Sequence, residues 1–226
     1  MSKKRRKPIS TTPEPSLVIE KHANKFHFQC INRYQEDAWD SINKNEITFL
    51  LGPAGCGKTQ VATAYASQAI LSKKASKFLL CRPMVSTEQM GYLPGTADEK
   101  IHPYLIPILD SVAECTGKDG PDRKRIIDAM EFTPLAFLRG RTFNYSVAIL
   151  DEAQNCTIEQ LKLWLTRIGR RSKLIVTGDP HQSDLKNSGL MHIVDRLDDI
   201  EGVGIIRLPE AAQVRNPLIT KILQKI

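Results

Sequence analysis

Eight consecutive residues, Gly52-Pro53-Ala54-Gly55-Cys56-Gly57-Lys58-Thr59, follow the spacing G-x-x-x-x-G-K-[ST] without exception. Glycines at the first, fourth and sixth positions let a backbone turn its N–H groups inward around an anion. A helix opening directly behind them adds the positive end of its dipole. In such a cradle Lys58 reaches the β- and γ-phosphates of a nucleotide and the Thr59 hydroxyl takes one site on Mg²⁺, with Gln60 next along the helix. The competing reading is a chance match in a glycine-rich loop. Context argues against it, because the apolar run Ile47–Leu51 precedes the loop and a helical pattern follows it.

A second apolar run, Val147–Leu150, ends in Asp151-Glu152. A carboxylate at that strand end can hold Mg²⁺, usually through water. The second acid, Glu152, is placed to orient or deprotonate an attacking water, which favours hydrolysis over transfer to another substrate. The alternative is an acidic helix N-terminus stabilised by the dipole. A third run, Leu174–Thr177, leads into Gly178-Asp179-Pro180-His181-Gln182, where Gln182 can bond both a water and a phosphate oxygen, or the stretch is a plain turn. Hydrolysis through a loose transition state needs a further cation, for which Arg139, Arg141 and Arg215 stand as alternatives. Each of them also fits a surface residue or a phosphate contact to nucleic acid. Gln35 carries an amide able to pair with adenine, or is a surface helix residue, and no Asn-Lys-x-Asp guanine signature follows the loop. Arg82-Pro83 ends a further strand and the polar stretch Thr87–Gly95 continues from it, where the phosphates of a bound nucleic-acid strand could be contacted or the segment is plain loop. Trp164 reads as core beside Leu161 and Leu165, and His102, His181 and His192 show no partner spacing.

Strands and helices alternate to position these residues. Strands are expected at Ile47–Leu51, Phe78–Cys81, Ser146–Leu150, Leu174–Thr177 and Val203–Leu208, with an ambiguous one within Ala129–Phe137. Helices are expected from Gly57 to about Leu71, and over Asp98–Cys115, Ile158–Ile168, Gly189–Leu197 and Leu218–Lys225. Pro103 and Pro107 must occupy the first turns of the second of these or kink it. Such alternation implies an α/β fold with a mostly parallel sheet and helices on both faces. Ligands in such sheets sit at the carboxyl ends of the strands, where the unusual residues fall.

The 226 residues suit one medium domain plus a tail. Residues 1–16 combine charge, Ser/Thr and three prolines with almost no apolar residue, and read as a disordered basic arm ahead of a single domain over 17–226. Lys3, Lys4, Arg5, Arg6 and Lys7 supply five of the formal net charge of +7, leaving +2 for the rest. Such an arm is either a solvated tail or a nucleic-acid contact. No apolar run approaches the ~18 residues of a membrane span, and none follows the charged start as a secretory signal requires, so the cytoplasm is expected. Cys30, Cys56, Cys81, Cys115 and Cys156 are scattered without ligand spacing, which speaks against zinc and for reduced thiols.

Taken together, the chain resembles the PhoH-like family of ATPases. The stretches that carry the resemblance are Asn32-x-x-Gln35, Ile47–Thr59, Arg82-Pro83, Gly91–Gly95 with Glu99-Lys100 and Pro103-Tyr104-Leu105, and Pro134-Leu135-Ala136. They continue with Arg139-Gly140-Arg141-Thr142, Ile149–Asn155, Leu165–Gly169, Val176–Gln182, Ser188-Gly189-Leu190 and Val214-Arg215-x-Pro217-Leu218, so that residue 28 to the end is covered. The Arg-Gly-Arg-Thr and Leu-Pro-Gly stretches are more specific than the phosphate loop. Ala212 and Asn216 depart from the family pattern, which often has an acid and a histidine there. The resemblance implies a three-layer, RecA-like P-loop fold similar to the first ATPase domain of superfamily 1 helicases, with Gly178-Asp179-x-x-Gln182 matching their third motif. It implies ATP binding with Mg²⁺, a link to RNA and a connection to phosphate starvation. Those helicases close the nucleotide between two such domains, and this chain has room for one. A homo-oligomer is therefore expected, a hexameric ring in the first instance. The leading function is a nucleic-acid-linked ATPase, as a helicase or translocase. Its alternatives are a nucleotide-dependent switch or assembly factor without unwinding, and a thymidine kinase-like phosphotransferase, which the absent cysteine zinc pattern disfavours.

Overall fold

The computed structural model describes residues 26–83, 97–185 and 187–214. The basic arm, the Leu-Pro-Gly stretch, Arg215 and the expected terminal helix lie outside the described residues.

In chain order the elements are α1 (Arg33–Lys44), β1 (Ile47–Leu51), α2 (Lys58–Leu71), β2 (Lys77–Cys81), α3 (Ala97–Thr116), α4 (Pro121–Ala129), β3 (Met130–Phe132), β4 (Ser146–Leu150), α5 (Ile158–Leu165), β5 (Lys173–Gly178), α6 (Leu190–Leu197) and β6 (Val203–Arg207). The six strands form one sheet in the order β3-β2-β4-β5-β1-β6. Every pairing is parallel, for example Leu51 opposite Gly178 and Cys81 opposite Leu150. The expected α/β, RecA-like arrangement is met.

The apolar runs are continuous because the central strands are covered on both faces. Alternate residues go to opposite sides. Leu50, Leu80, Val147, Ile149 and Ile175 face α1–α4, while Phe49, Leu51, Leu79, Cys81, Leu150 and Val176 face α5 and α6. Full burial of each large member stabilises the fold by roughly 1.5–3 kcal/mol. Trp164 is fully buried in the second layer, edge-on to Phe143, as its neighbours predict. Helix α2 is buried almost all round, which its run of Ala, Thr and Ser permits, since small side chains let the surrounding helices close over it.

Three points go beyond the sequence reading. Pro103 and Pro107 fall inside α3, beyond its first turn, and each removes a backbone donor from the helix. Helix α1 is given no bounds by the sequence reading, which offers it only as the alternative in which Gln35 is a surface helix residue; Gln35 is instead buried, and Asn32 caps the helix, its Oδ1 accepting the Gln35 N–H at 3.0 Å. Helix α4 is also new. Its start is signalled by Gly120-Pro121 and an acid in the first turn.

Candidate active site

The phosphate loop joins β1 to α2 at the carboxyl edge of the sheet. Gly55 and Gly57 take φ of 86° and 78°, left-handed values that a side chain resists, so the turn needs glycine there. A Cβ on Gly57 would lie 2.5 Å from the Gln35 amide nitrogen. Strand β5 lies between β1 and β4, and so ties both ends of the site together. The Gly52 N–H donates to the Gly178 carbonyl at 3.1 Å, and the Asp151 N–H donates to the Cys81 carbonyl at 2.9 Å. The Thr177 hydroxyl, also on β5, bonds Asp151, so that loop and acids meet on one edge.

Asp151, 2% exposed, is the hub. Its Oδ1 accepts the Thr59 hydroxyl at 2.9 Å and also the Thr177 hydroxyl. Its Oδ2 accepts Arg82 Nη2 at 2.8 Å, and the same nitrogen lies 3.5 Å from Glu152 Oε1. Glu152 sits at φ 58°, a left-handed conformation costing a non-glycine residue on the order of 1–3 kcal/mol. Gln154 holds its carboxylate there, donating from Nε2 to Glu152 Oε2 at 2.6 Å while its Oε1 accepts the Asp179 N–H at 3.0 Å.

Lys58 Nζ donates to the loop's own carbonyls, Gly52 at 2.6 Å and Pro53 at 2.8 Å. Burial pulls its ammonium below the ordinary lysine range; the Cys56 thiol, Asp179, Glu152 and Asp151 around it act in the opposite sense. Gln60 Nε2 donates to Glu114 Oε2 at 2.7 Å and so links α2 to α3. Gln182 is at the cavity rim on the expected Gly-Asp-Pro turn, whose Asp179 Oδ1 accepts the His181 N–H at 3.0 Å. The turn and the presented glutamine are one feature.

These groups border a partly open cavity of about 320 Å³ lined by Ala54, Gly55, Gly57, Lys58, Thr59, Gln60, Arg82, Pro107, Ser111, Asp151, Glu152, Thr177, Gly178, Asp179 and Gln182. Its donors suit a magnesium nucleotide: a hydroxyl and a buried carboxylate 2.9 Å apart are hard oxygen ligands, and the glycine turns leave backbone room for phosphate.

Other expected residues stand elsewhere. Gln35 does not line this cavity. Its Oε1 accepts the Ile31 N–H at 3.0 Å and its Nε2 donates to the Cys56 carbonyl at 3.4 Å, so the amide braces the back of the loop. Arg141 is committed to β3, with Nη1 2.6 Å from Glu131 Oε1 and 3.0 Å from the Thr133 hydroxyl. Arg139 is exposed and away from the cavity. The arginine that does line it is Arg82, together with Thr177 and Asp179. The signal for all three was their place at the carboxyl ends of β2 and β5.

Fold and site together define a P-loop nucleoside-triphosphatase fold of the RecA-like kind. More narrowly, the chain belongs to the PhoH-like protein family, whose model matches residues 28–226. It is 43% identical over 188 residues to a PhoH-like protein of Mycobacterium tuberculosis, covering 81% of this chain and 53% of that protein. It is 41% identical over 188 residues to one of Bacillus subtilis, covering 81% of this chain and 59% of the relative. Protein PhoH of Escherichia coli is 38% identical over 189 residues, with 81% and 53% covered. The chain thus spans a little over half the length of these curated relatives. Among solved structures, the large terminase of a thermophilic bacteriophage superposes with a TM-score of 0.58 at 12% identity, covering 87% of this chain and 50% of that one, a likeness of fold. Among the described residues no helix is long and apolar enough to cross a membrane.

Proposed function

We propose that the chain hydrolyses ATP to ADP and phosphate with Mg²⁺, coupled to RNA or another nucleic acid, in the cytoplasm. The observation that carries this reading is the 2.9 Å contact between the Thr59 hydroxyl and Asp151 Oδ1, because it puts the phosphate loop and the acid pair at one cavity.

The loop N–H groups bind the β- and γ-phosphates, and Lys58 exchanges its two carbonyl partners for phosphate oxygens. Thr59 and Asp151 would hold Mg²⁺, which would supply positive charge against the phosphates. Glu152, fixed through one oxygen by Gln154, accepts the proton of the attacking water on the other. Gln182 at the rim bonds that water or the γ-phosphate. Closure by a neighbouring copy of the chain, in a ring, is part of the same reading. It is supported by the open cavity and by the exposure of Arg139, whereas Arg141 is already engaged by Glu131.

The test is ATP turnover with and without RNA, across chain concentrations, for wild type and Glu152→Gln. The variant should keep ATP affinity and lose turnover by a factor on the order of 10²–10⁴. RNA should stimulate the wild type, and dilution should lower its activity per chain. Unchanged turnover in Glu152→Gln would remove the assigned base. No response to RNA would favour a nucleotide switch.

A further inference from the structure

The Arg82 guanidinium sits on the same carboxylate that a metal ion beside Thr59 would use. Asp151 is a buried carboxylate, and such a group requires a compensating cation. Its Oδ1 is taken by two hydroxyls, and its Oδ2 by Arg82 Nη2 at 2.8 Å. The Arg82 side chain is 20% exposed and its Nη2 also leans on Glu152 Oε1 at 3.5 Å. Its Nε is buried and has no hydrogen-bond partner among the described residues. Among the described residues the guanidinium is therefore bonded through Nη2 alone, one corner of a planar fork made to hold an oxyanion with two parallel bonds.

A divalent ion between Thr59 and Asp151 would meet this guanidinium at the same carboxylate. A guanidinium and a divalent ion on one carboxylate repel each other, so binding of the metal favours release of Arg82. The anion arriving with the metal is the terminal phosphate, and Arg82 lines the same cavity as Lys58, Glu152 and Gln182. Building on the ATPase reading above, we propose that Arg82 is an exchangeable counter-ion. It holds Asp151 and Glu152 while the site lacks metal, yields Asp151 to Mg²⁺, and turns its fork to the γ-phosphate oxygens. There it supplies, from within the chain, a cation for the transition state. A fixed structural counter-ion would behave differently, since its loss would cost stability without changing metal affinity in the opposite direction.

Full-length wild type, R82A, R82Q and R82K are compared in two ways. Mn²⁺ binding is measured by paramagnetic resonance, on the chain alone and with a non-hydrolysable ATP analogue. ATP turnover is measured across Mg²⁺ concentration. R82A and R82Q should bind Mn²⁺ to the chain alone about fivefold more tightly, because the competing cation is gone. Their kcat at saturating Mg²⁺ and ATP should fall by on the order of a hundredfold, with KM for ATP within about threefold. R82K keeps a cation but not the fork, and should hold near-wild-type Mn²⁺ affinity with reduced kcat. R82Q serves should R82A fail to fold. Mn²⁺ affinity unchanged or weaker in the neutral variants overturns the exchange, and a kcat within about threefold of wild type overturns delivery to phosphate. Should the wild type show no turnover, the ATPase reading fails, while the Mn²⁺ titration on the chain alone still decides whether Arg82 competes for Asp151.

Discussion

Gln154 donates its amide to Glu152 Oε2 at 2.6 Å and takes the Asp179 N–H on the other end of the same side chain at 3.0 Å. One buried amide thus couples the proposed base at the end of β4 to the turn after β5, which presents Gln182. A glutamate in a left-handed backbone conformation is held by this bond on one oxygen, while the other, at the cavity that Glu152 lines, lies 3.5 Å from Arg82 Nη2.

Gln154→Ala should therefore lower kcat about tenfold with little change in KM, because nucleotide contacts remain while the base loses its orientation. Stability should drop by about 1–3 kcal/mol, the cost of leaving the buried Asp179 N–H unpaired. Steady-state ATP hydrolysis and urea unfolding of the same preparation check both. A KM rise at constant kcat would place Gln154 in nucleotide binding instead.

Gly57 and Gln35 should behave as a coupled pair. Gly57→Ala puts a methyl 2.5 Å from the Gln35 Nε2 at a φ of 78°, so about 1–3 kcal/mol of stability should be lost. Gln35→Ala alone loses the bonds to Ile31 and Cys56, worth about 1–2 kcal/mol together. In the double variant the clash disappears, so its loss should be less than the sum of the two. Chemical denaturation of the four chains measures the difference, and strict additivity would mean the two side chains do not meet.

Arg141 and Glu131 make a pH-dependent prediction. The hydrogen bond from Arg141 is the chief cause that holds the Glu131 carboxyl below its usual range, with the Thr133 hydroxyl and the charge of Lys77 adding to it. A depressed folded pKa gives stability that is present above the unfolded glutamate value and lost as pH falls through the folded one. Because the pair is partly exposed and screened, Arg141→Ala should cost at most about 1 kcal/mol near pH 7. The gap between the two chains should narrow as pH falls below the unfolded glutamate value and close once pH is below the folded one. Melting curves across pH follow it. A gap that stays constant would show that Arg141 stabilises through packing.

The local chemistry was legible because it is written in contiguous residues. A phosphate loop needs its glycines, lysine and threonine side by side, and a buried parallel strand needs an unbroken apolar run, so Gly52–Thr59, Asp151-Glu152 and the central strands could be read directly. What the sequence could not state is which strand lies beside which. Order and register are set by packing on both faces of the sheet, and they decided that β5 separates β1 from β4 and brings Thr177 to Asp151. The same placement sends Arg82, one residue past β2, to the acid pair, and Arg141, read as equally able to reach phosphate, to Glu131. An arginine's partner depends on which carboxylate the folded chain sets within a few ångströms, and spacing along the chain does not contain that distance.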